Sequence, residues 1–280
     1  MNRIYILSLF FCLSLSLSAQ KTKELLIIHT NDTHSRIEPA SDSDSDSRIA
    51  GRGGFVRRAT LIDSISKSNK DMLLFDCGDF SQGTPFYNLF KGEVEVKLMN
   101  AMGYDAITIG NHEFDFGLEN MARLFKMATF DILNCNYDVK GTELEGLVKP
   151  YKIIKRDGLK IGVLGVGPQL KGLVQDKNFK GIQFNDPVTS AQKVATYLKQ
   201  TEKCDLVIAL SHLGWQGGAY CDEAFIANTK DIDIVLGGHS HSYFEKPQYY
   251  KNLDGKMIPL QQMGKNAAFV GEMRVKFNKK

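Results

Sequence analysis

The chain has 280 residues, 43% of them hydrophobic, with 35 Lys and Arg against 32 Asp and Glu for a formal net charge of +3. That balance supports a sizeable buried core and excludes a disordered polyelectrolyte. It also gives no basis for binding a nucleic-acid polymer through bulk charge.

The first twenty residues, MNRIYILSLFFCLSLSLSAQ, place Arg3 before an apolar run that ends in small residues. This is the pattern of a secretory signal peptide, with cleavage expected near Ala19. Residues 1–19 are therefore expected to be removed, and 20–280 to form one domain with no membrane span after processing, working in the periplasm or at the cell surface. The apolar run is too short and too rich in serine to span comfortably. Four cysteines remain, Cys77, Cys135, Cys204 and Cys221, irregularly spaced and without a CxxC pair. They read as buried thiols, although an oxidising compartment leaves room for one disulfide.

Along the mature chain, short apolar runs alternate with amphipathic stretches. LLIIHT (25–30) predicts a first strand. SDSDSDSR (41–48) is acidic and devoid of apolar residues; it lacks the glycine and terminal glutamate of a calcium-binding EF-hand loop and reads as a solvated, mobile loop. A helix is expected over 55–69, a strand in MLLF (72–75), a helix over 94–102, a strand in AITIG (106–110) and a helix over 118–129. KIGVLGVG (160–167), a helix over 187–200, DLVIALSH (205–212), a helix over 222–228 and DIVLGGH (233–239) continue the rhythm, and 256–276 reads as antiparallel strands. Strand and helix in alternation predict an α/β fold with mostly parallel central strands.

The strand ends carry the chemistry. HTNDTHS supplies Asp32 and His34, FDCGDFSQG supplies Asp76 and Asp79, and IGNHEFDFG supplies Asn111, His112 and Asp115; ALSHLG supplies His212, and LGGHSHS supplies His239 and His241. In an open α/β sheet the carboxyl ends of parallel strands converge on one edge, where ligands bind. Taken singly, Asp32 and His34 are ordinary turn residues and His212 an ordinary core residue; five polar clusters at five strand ends are not ordinary. Imidazoles and carboxylates together suit Mn, Zn, Fe, Co or Mg, and their number exceeds what one ion needs. Two divalent ions sharing a carboxylate such as Asp79 would use them, the arrangement suited to in-line displacement at phosphorus. His29, inside the first strand, reads instead as a structural histidine. Phe86 and Tyr87 fit a pocket lining or the core equally well.

At these residues the sequence resembles the calcineurin-like metallophosphoesterase superfamily, whose motifs D-x-H, G-D, G-N-H-E/D, H and G-H-x-H occur here in that order. GDFSQGTPFYNLFKGE and GNHEFDFG resemble its 5'-nucleotidase branch, which includes UDP-sugar hydrolases and 2',3'-cyclic-nucleotide phosphodiesterases. The resemblance covers Leu25 to about Phe277. It implies a four-layer sandwich of two mixed β-sheets flanked by helices. It assigns one metal to Asp32, His34, Asp79 and His241 and a second to Asp79, Asn111, His212 and His239, with Asp79 bridging. His112 matches the catalytic histidine, Asp115 its orienting partner, and Asn111 and His112 the residues facing substrate; Asp76 has no ligand role in the pattern. The implied reaction is hydrolysis of a 5'-nucleotide, with a nucleotide-sugar or cyclic-nucleotide diesterase as the alternative. A cytosolic Ser/Thr phosphatase shares the core but neither the leader nor GTPFYNLFKGE. A non-catalytic binding module would have lost a ligand or the His112 and Asp115 pair, and neither is lost. In that branch a second, C-terminal domain carries the aromatics and arginines that grip the nucleoside. It lies outside the span compared, so either a separate C-terminal-domain protein supplies it or the chain is a broader phosphatase.

Overall fold

Alternation within single strands decides which layer each residue joins. The computed structural model describes residues 22–278; the signal-peptide expectation lies outside the described residues. In the first strand, β1 (Thr22–Thr30), Leu25 and Ile27 face one side while Leu26 and Ile28 face the other, and all four are buried. A strand apolar on both faces must be covered on both, as parallel strands between helices are.

Two six-stranded sheets result. The first runs β14 (Gly271–Asn278), β1, β2 (Leu73–Asp76), β3 (Ala106–Thr108), β4 (Asp131–Leu133), β6 (Val148–Lys149). The second runs β12 (Gln248–Lys251), β13 (Met257–Gln261), β11 (Ile234–Leu236), β10 (Leu206–Ser211), β8 (Leu159–Val166), β7 (Tyr151–Arg156). A separate pair joins β5 (Tyr137–Asp138) to β9 (Gln183–Phe184). Leu25, Ile27, Leu73 and Phe75 of the first sheet meet Ile161, Val163, Ile208 and Leu210 of the second in one apolar layer. The outer face of the first sheet packs on α1 (Phe55–Ser68), α3 (Glu93–Met102) and α4 (Gly117–Met127) through Ile62, Met99 and Met121. That of the second packs on α5 (Pro187–Thr196) and α6 (Asp222–Ala227) through Ala191 and Phe225. Helix, sheet, sheet, helix make the four layers expected.

The structure departs from the sequence reading in places. The tail does form strands, but they belong to different sheets: β13 runs parallel to β11 and antiparallel to β12, whereas β14 pairs antiparallel with β1. The helix expected to reach residue 200 stays α-helical only to Thr196 and continues as a wider π turn over Tyr197–Thr201. The short helix α2 (Pro85–Phe90) has no counterpart in the sequence reading; Pro85 at its start has the fixed φ that suits a first helical position. In the acidic segment, Asp44 and Asp46 accept hydrogen bonds from the backbone two residues ahead, the self-capping turns expected of such residues, and most of the segment is exposed. Among the described residues all four cysteines are free, so no disulfide pairs them. No helix among the described residues is long and apolar enough to cross a membrane.

Candidate metal centre

The parallel strands β1, β2, β3, β10 and β11 end on one edge, and the loops that follow lock onto one another. The backbone N–H of Asp32 donates to the Gly78 carbonyl at 2.9 Å, that of His34 to Asp79 at 3.0 Å and that of Ser35 to Phe80 at 2.9 Å, extending the ladder past the strands. The second sheet is tied in through His212, whose Nδ1 donates to the Cys77 carbonyl at 2.6 Å, and through His239, whose N–H donates to Asp32 Oδ2 at 2.9 Å. Asp32, His34, Asp79, His239 and His241 all have φ between 47 and 74°, the left-handed region that residues with a Cβ avoid. Five such residues at one edge store strain where side chains must point inward.

Three groups of candidate ligand atoms form; that of His34, Asp79 and His112 shares a residue with each of the other two. Asp32 Oδ1, His34 Nε2 and His241 Nε2 are mutually 3.8, 3.4 and 3.0 Å apart. Asp79, His212 and His239 form the second, with Asp79 Oδ2 3.0 Å from His212 Nε2. His212 Nε2 is also 3.9 Å from Asp32 Oδ1, so the groups adjoin. Donors held about 2.1 Å from one ion lie about 3.0 to 3.4 Å from each other, so the spacings fit metal coordination except that of Asp32 and His34, which is wider at 3.8 Å. The donor set, imidazole with carboxylate, is of the right chemistry. A further sign is Asn111 Oδ1, a buried polar atom left without a hydrogen-bond partner.

Burial lowers the pKa of His34, and lowers that of His239 to about 4 with help from the charge on His212, so both are neutral imidazoles ready to coordinate. Asp79 and His212 form a buried pair. Burial opposes both charges, yet their mutual attraction holds Asp79 well below the usual carboxylate range and His212 well above the usual histidine range. The carboxylates at the centre thus call for positive charge.

His112 and Asp115 stand beside these groups on a short 3₁₀ turn, His112–Phe114. His112 Nδ1 donates to Asp115 Oδ2 at 3.0 Å, and the His112 backbone N–H donates to Asp79 Oδ1 at 2.9 Å. Burial lowers the His112 pKa, but Asp115 and Asp79 overcome it and the net shift is upward. The ring centroid lies 5.5 Å from that of His34. Asn111, between Gly110 and His112, is buried. Tyr87 is buried too, its hydroxyl donating to the His112 carbonyl at 3.2 Å. Asp76 accepts from Thr30 Oγ1 at 2.6 Å and from the Gly78 N–H at 3.0 Å, and burial raises its pKa to about 7; it braces the first two strands and faces no ligand group.

One residue that organises the centre has no role in the sequence reading. Glu113 is buried, and its carboxylate accepts the backbone N–H of Asp79 at 3.0 Å, of Gly110 at 2.7 Å and of Ser81 at 3.3 Å. Burial and the nearby Asp79 raise its pKa to about 8, against the pull of His212 and of these donors. It clamps the loops after β2 and β3 together. A cavity of about 680 Å³ between Lys91, Phe116, Arg123 and Lys126 contains none of the candidate ligands.

Comparison with known proteins identifies the family. Residues 25–243 match the calcineurin-like phosphoesterase family. A snake venom 5'-nucleotidase from Gloydius brevicauda is 34% identical over 291 aligned positions, covering 98% of this chain and 48% of that protein. The crystal structure of a 5'-nucleotidase precursor from Thermus thermophilus superposes with a TM-score of 0.80 at 29% identity, covering 91% of this chain and 52% of that one. The structure of Haemophilus influenzae NAD nucleotidase gives 0.81 at 30%, covering 92% and 54%. The chain spans about half the length of the curated relatives it matches. With a family match over most of its length and the four-layer fold beneath it, the chain belongs to the calcineurin-like phosphoesterase family.

Proposed function

We propose that the chain is a two-metal phosphomonoesterase that releases phosphate from 5'-nucleotides. The observation that carries this reading is the pair of adjoining ligand groups, Asp32, His34 and His241 beside Asp79, His212 and His239, with a hydrogen-bonded His112 and Asp115 at their side. When bound, divalent ions supply Lewis acidity and lower the pKa of a bound water towards neutrality. Asp79 and Asn111 would help to hold the ions. Because Asp115 accepts from Nδ1 of His112, the proton of the imidazolium that can be given away is on Nε2, and Asp115 and Asp79 favour that protonated ring. His112 Nε2 donates to a phosphoryl oxygen as charge builds on it, or protonates the leaving oxygen; phosphate and an alcohol depart.

The names of the relatives, 5'-nucleotidases in several organisms, support the substrate class. The leader-like first residues, together with a venom relative, support action outside the cytoplasm. A second reading, favoured by coverage of only about half of each relative, is that a further domain, on this polypeptide or another, completes the nucleoside pocket. The test is phosphate release from 5'-AMP by the purified chain, stripped and reloaded with Mn²⁺ or Zn²⁺, with His112→Asn in parallel. Metal-dependent release that falls by about 10² to 10⁴ in the variant is expected. Silence on AMP, aryl phosphates and diesters alike would overturn the reading.

A further inference from the structure

The loop after β11 delivers one histidine to each of two ligand groups: His241 joins Asp32 and His34, while His239 joins Asp79 and His212. To do so it bends sharply. His239 and His241 take φ of 74 and 55°, values that persist only where the surroundings impose them. Yet the loop lies at the surface, with Ser240 and His241 exposed and His239 and Ser242 half-buried. The hold on it comes from below, from one side chain. Gln262, the residue after β13, is fully buried. Its Nε2 donates to the Gly238 carbonyl at 2.8 Å, and its Oε1 accepts from the Ser240 hydroxyl at 2.9 Å and from the Ser242 backbone N–H at 2.6 Å. Gly238, Ser240 and Ser242 are the residues on either side of the two histidines, so one amide brackets both. Gln262 is itself anchored: the Phe244 N–H donates to its carbonyl at 2.9 Å, and the N–H of the next residue, Met263, donates to Asn31 Oδ1 at 2.8 Å. Asn31 Nδ2 in turn donates to Asp32 Oδ2 at 2.7 Å, which ties this segment to the first sheet.

We infer that Gln262 is a positioning residue for the metal centre, setting His239 and His241 at once through the backbone that carries them. For turnover the inference rests on the phosphoesterase reading above; for metal binding it stands on the ligand groups alone. The fit is specific to an amide. A backbone N–H can only donate and a carbonyl can only accept, so the loop needs an acceptor and a donor side by side on one planar group. An ionised carboxylate of the same size sets an oxygen against the Gly238 carbonyl, and a thioether leaves both the carbonyl and the Ser242 N–H without a good partner. Removing a group that holds metal ligands from behind typically costs about 10- to 100-fold in metal affinity or activity.

The experiment titrates Mn²⁺ into the chelator-treated chain by calorimetry, for wild type, Gln262→Glu, Gln262→Met and a control, Gln261→Met. Gln261 is the buried neighbour, but its side chain bonds His29 at 3.2 Å and the Phe244 carbonyl at 3.5 Å rather than the histidine loop. Both Gln262 variants are expected to weaken Mn²⁺ binding about tenfold or more, Gln262→Glu the more severely, while the control stays within about twofold of wild type even as its Tm falls. With 5'-AMP at saturating Mn²⁺, the Gln262 variants should lose about tenfold in kcat with KM within about twofold. Should Gln262→Glu fail to fold, Gln262→Met, which adds no charge, carries the test. Wild-type Mn²⁺ binding in Gln262→Met overturns the inference, and so does an equal loss in the control, which would make the effect one of general stability. A wild-type chain that binds Mn²⁺ but releases no phosphate overturns the phosphoesterase reading, and the Mn²⁺ constants alone then decide the role of Gln262.

Discussion

His29 sits three residues before the first candidate ligand, yet its chemistry is that of the core. It is fully buried, its Nε2 pairs with Gln261 Oε1 at 3.2 Å, and a Cβ on Gly271 of β14 would strike its ring. Burial lowers its pKa from 6.5 to about 4, and the hydrogen bond to Gln261 only partly opposes this. The folded state therefore binds the proton more weakly than the unfolded chain. The stability that accompanies the neutral ring is complete above pH 6.5 and is lost as the pH falls towards 4, about 3 kcal/mol in all. A His29→Leu chain leaves Gln261 without its partner, a cost that does not vary with pH. Urea unfolding at pH 7, 5.5 and 4.5 is expected to show wild type losing its advantage over the variant by about that amount. Parallel slopes for the two chains would mean that His29 is charged or solvated in the fold.

At the scale of elements, the loops after β2, β3 and β10 meet at Gly78. Its φ is 88°, and a Cβ there would stand 2.6 Å from the Gly110 nitrogen and 2.8 Å from His212 Nδ1. Gly78→Ala thus adds a backbone collision to left-handed strain and is expected to cost about 3 kcal/mol or more. Gly103, at φ 76° with nothing within 4 Å, bears the strain alone, so Gly103→Ala should cost about 1 kcal/mol. Equal urea midpoints for the two variants would show that the loops yield freely at Gly78. The same contrast between local and distant causes explains what the sequence discloses. The strands β1, β2, β8 and β10 are continuous apolar runs, and the polar residues that follow them are visible next to them. The edge strands β7 and β12, YKIIKR and QYYK, are half-exposed or exposed apart from Ile154 and carry no such run, while β4 and β6 are only three and two residues long. Glu113 stands in plain view beside His112, but the backbone groups its carboxylate holds include two that are 34 and 32 positions away.

For the whole molecule, the candidate ligands are divided between the sheets. Asp32, His34, Asp79 and Asn111 follow strands of the first, and His212, His239 and His241 follow strands of the second. The groups so assembled cross that division, since Asp32 lies beside His241 and Asp79 beside His212. An ion bound there pins one sheet to the other at the edge where their apolar layer ends, and the unfolded chain offers no such preformed set of donors. Binding energy then becomes folding energy. At a free metal concentration one hundred times the dissociation constant, one site contributes about 2.7 kcal/mol, which for a chain of this size raises Tm by about 5 to 10 °C. Calorimetry of the chelator-treated and Mn²⁺-loaded protein checks this. Asp79→Ala, which removes the carboxylate between the groups, is expected to abolish most of the rise, whereas His112→Asn, which keeps the backbone hydrogen bond to Asp79, should retain it despite its loss of turnover. A rise lost equally in both variants would place His112 among the ligands, and the roles proposed for the two residues would have to be redrawn.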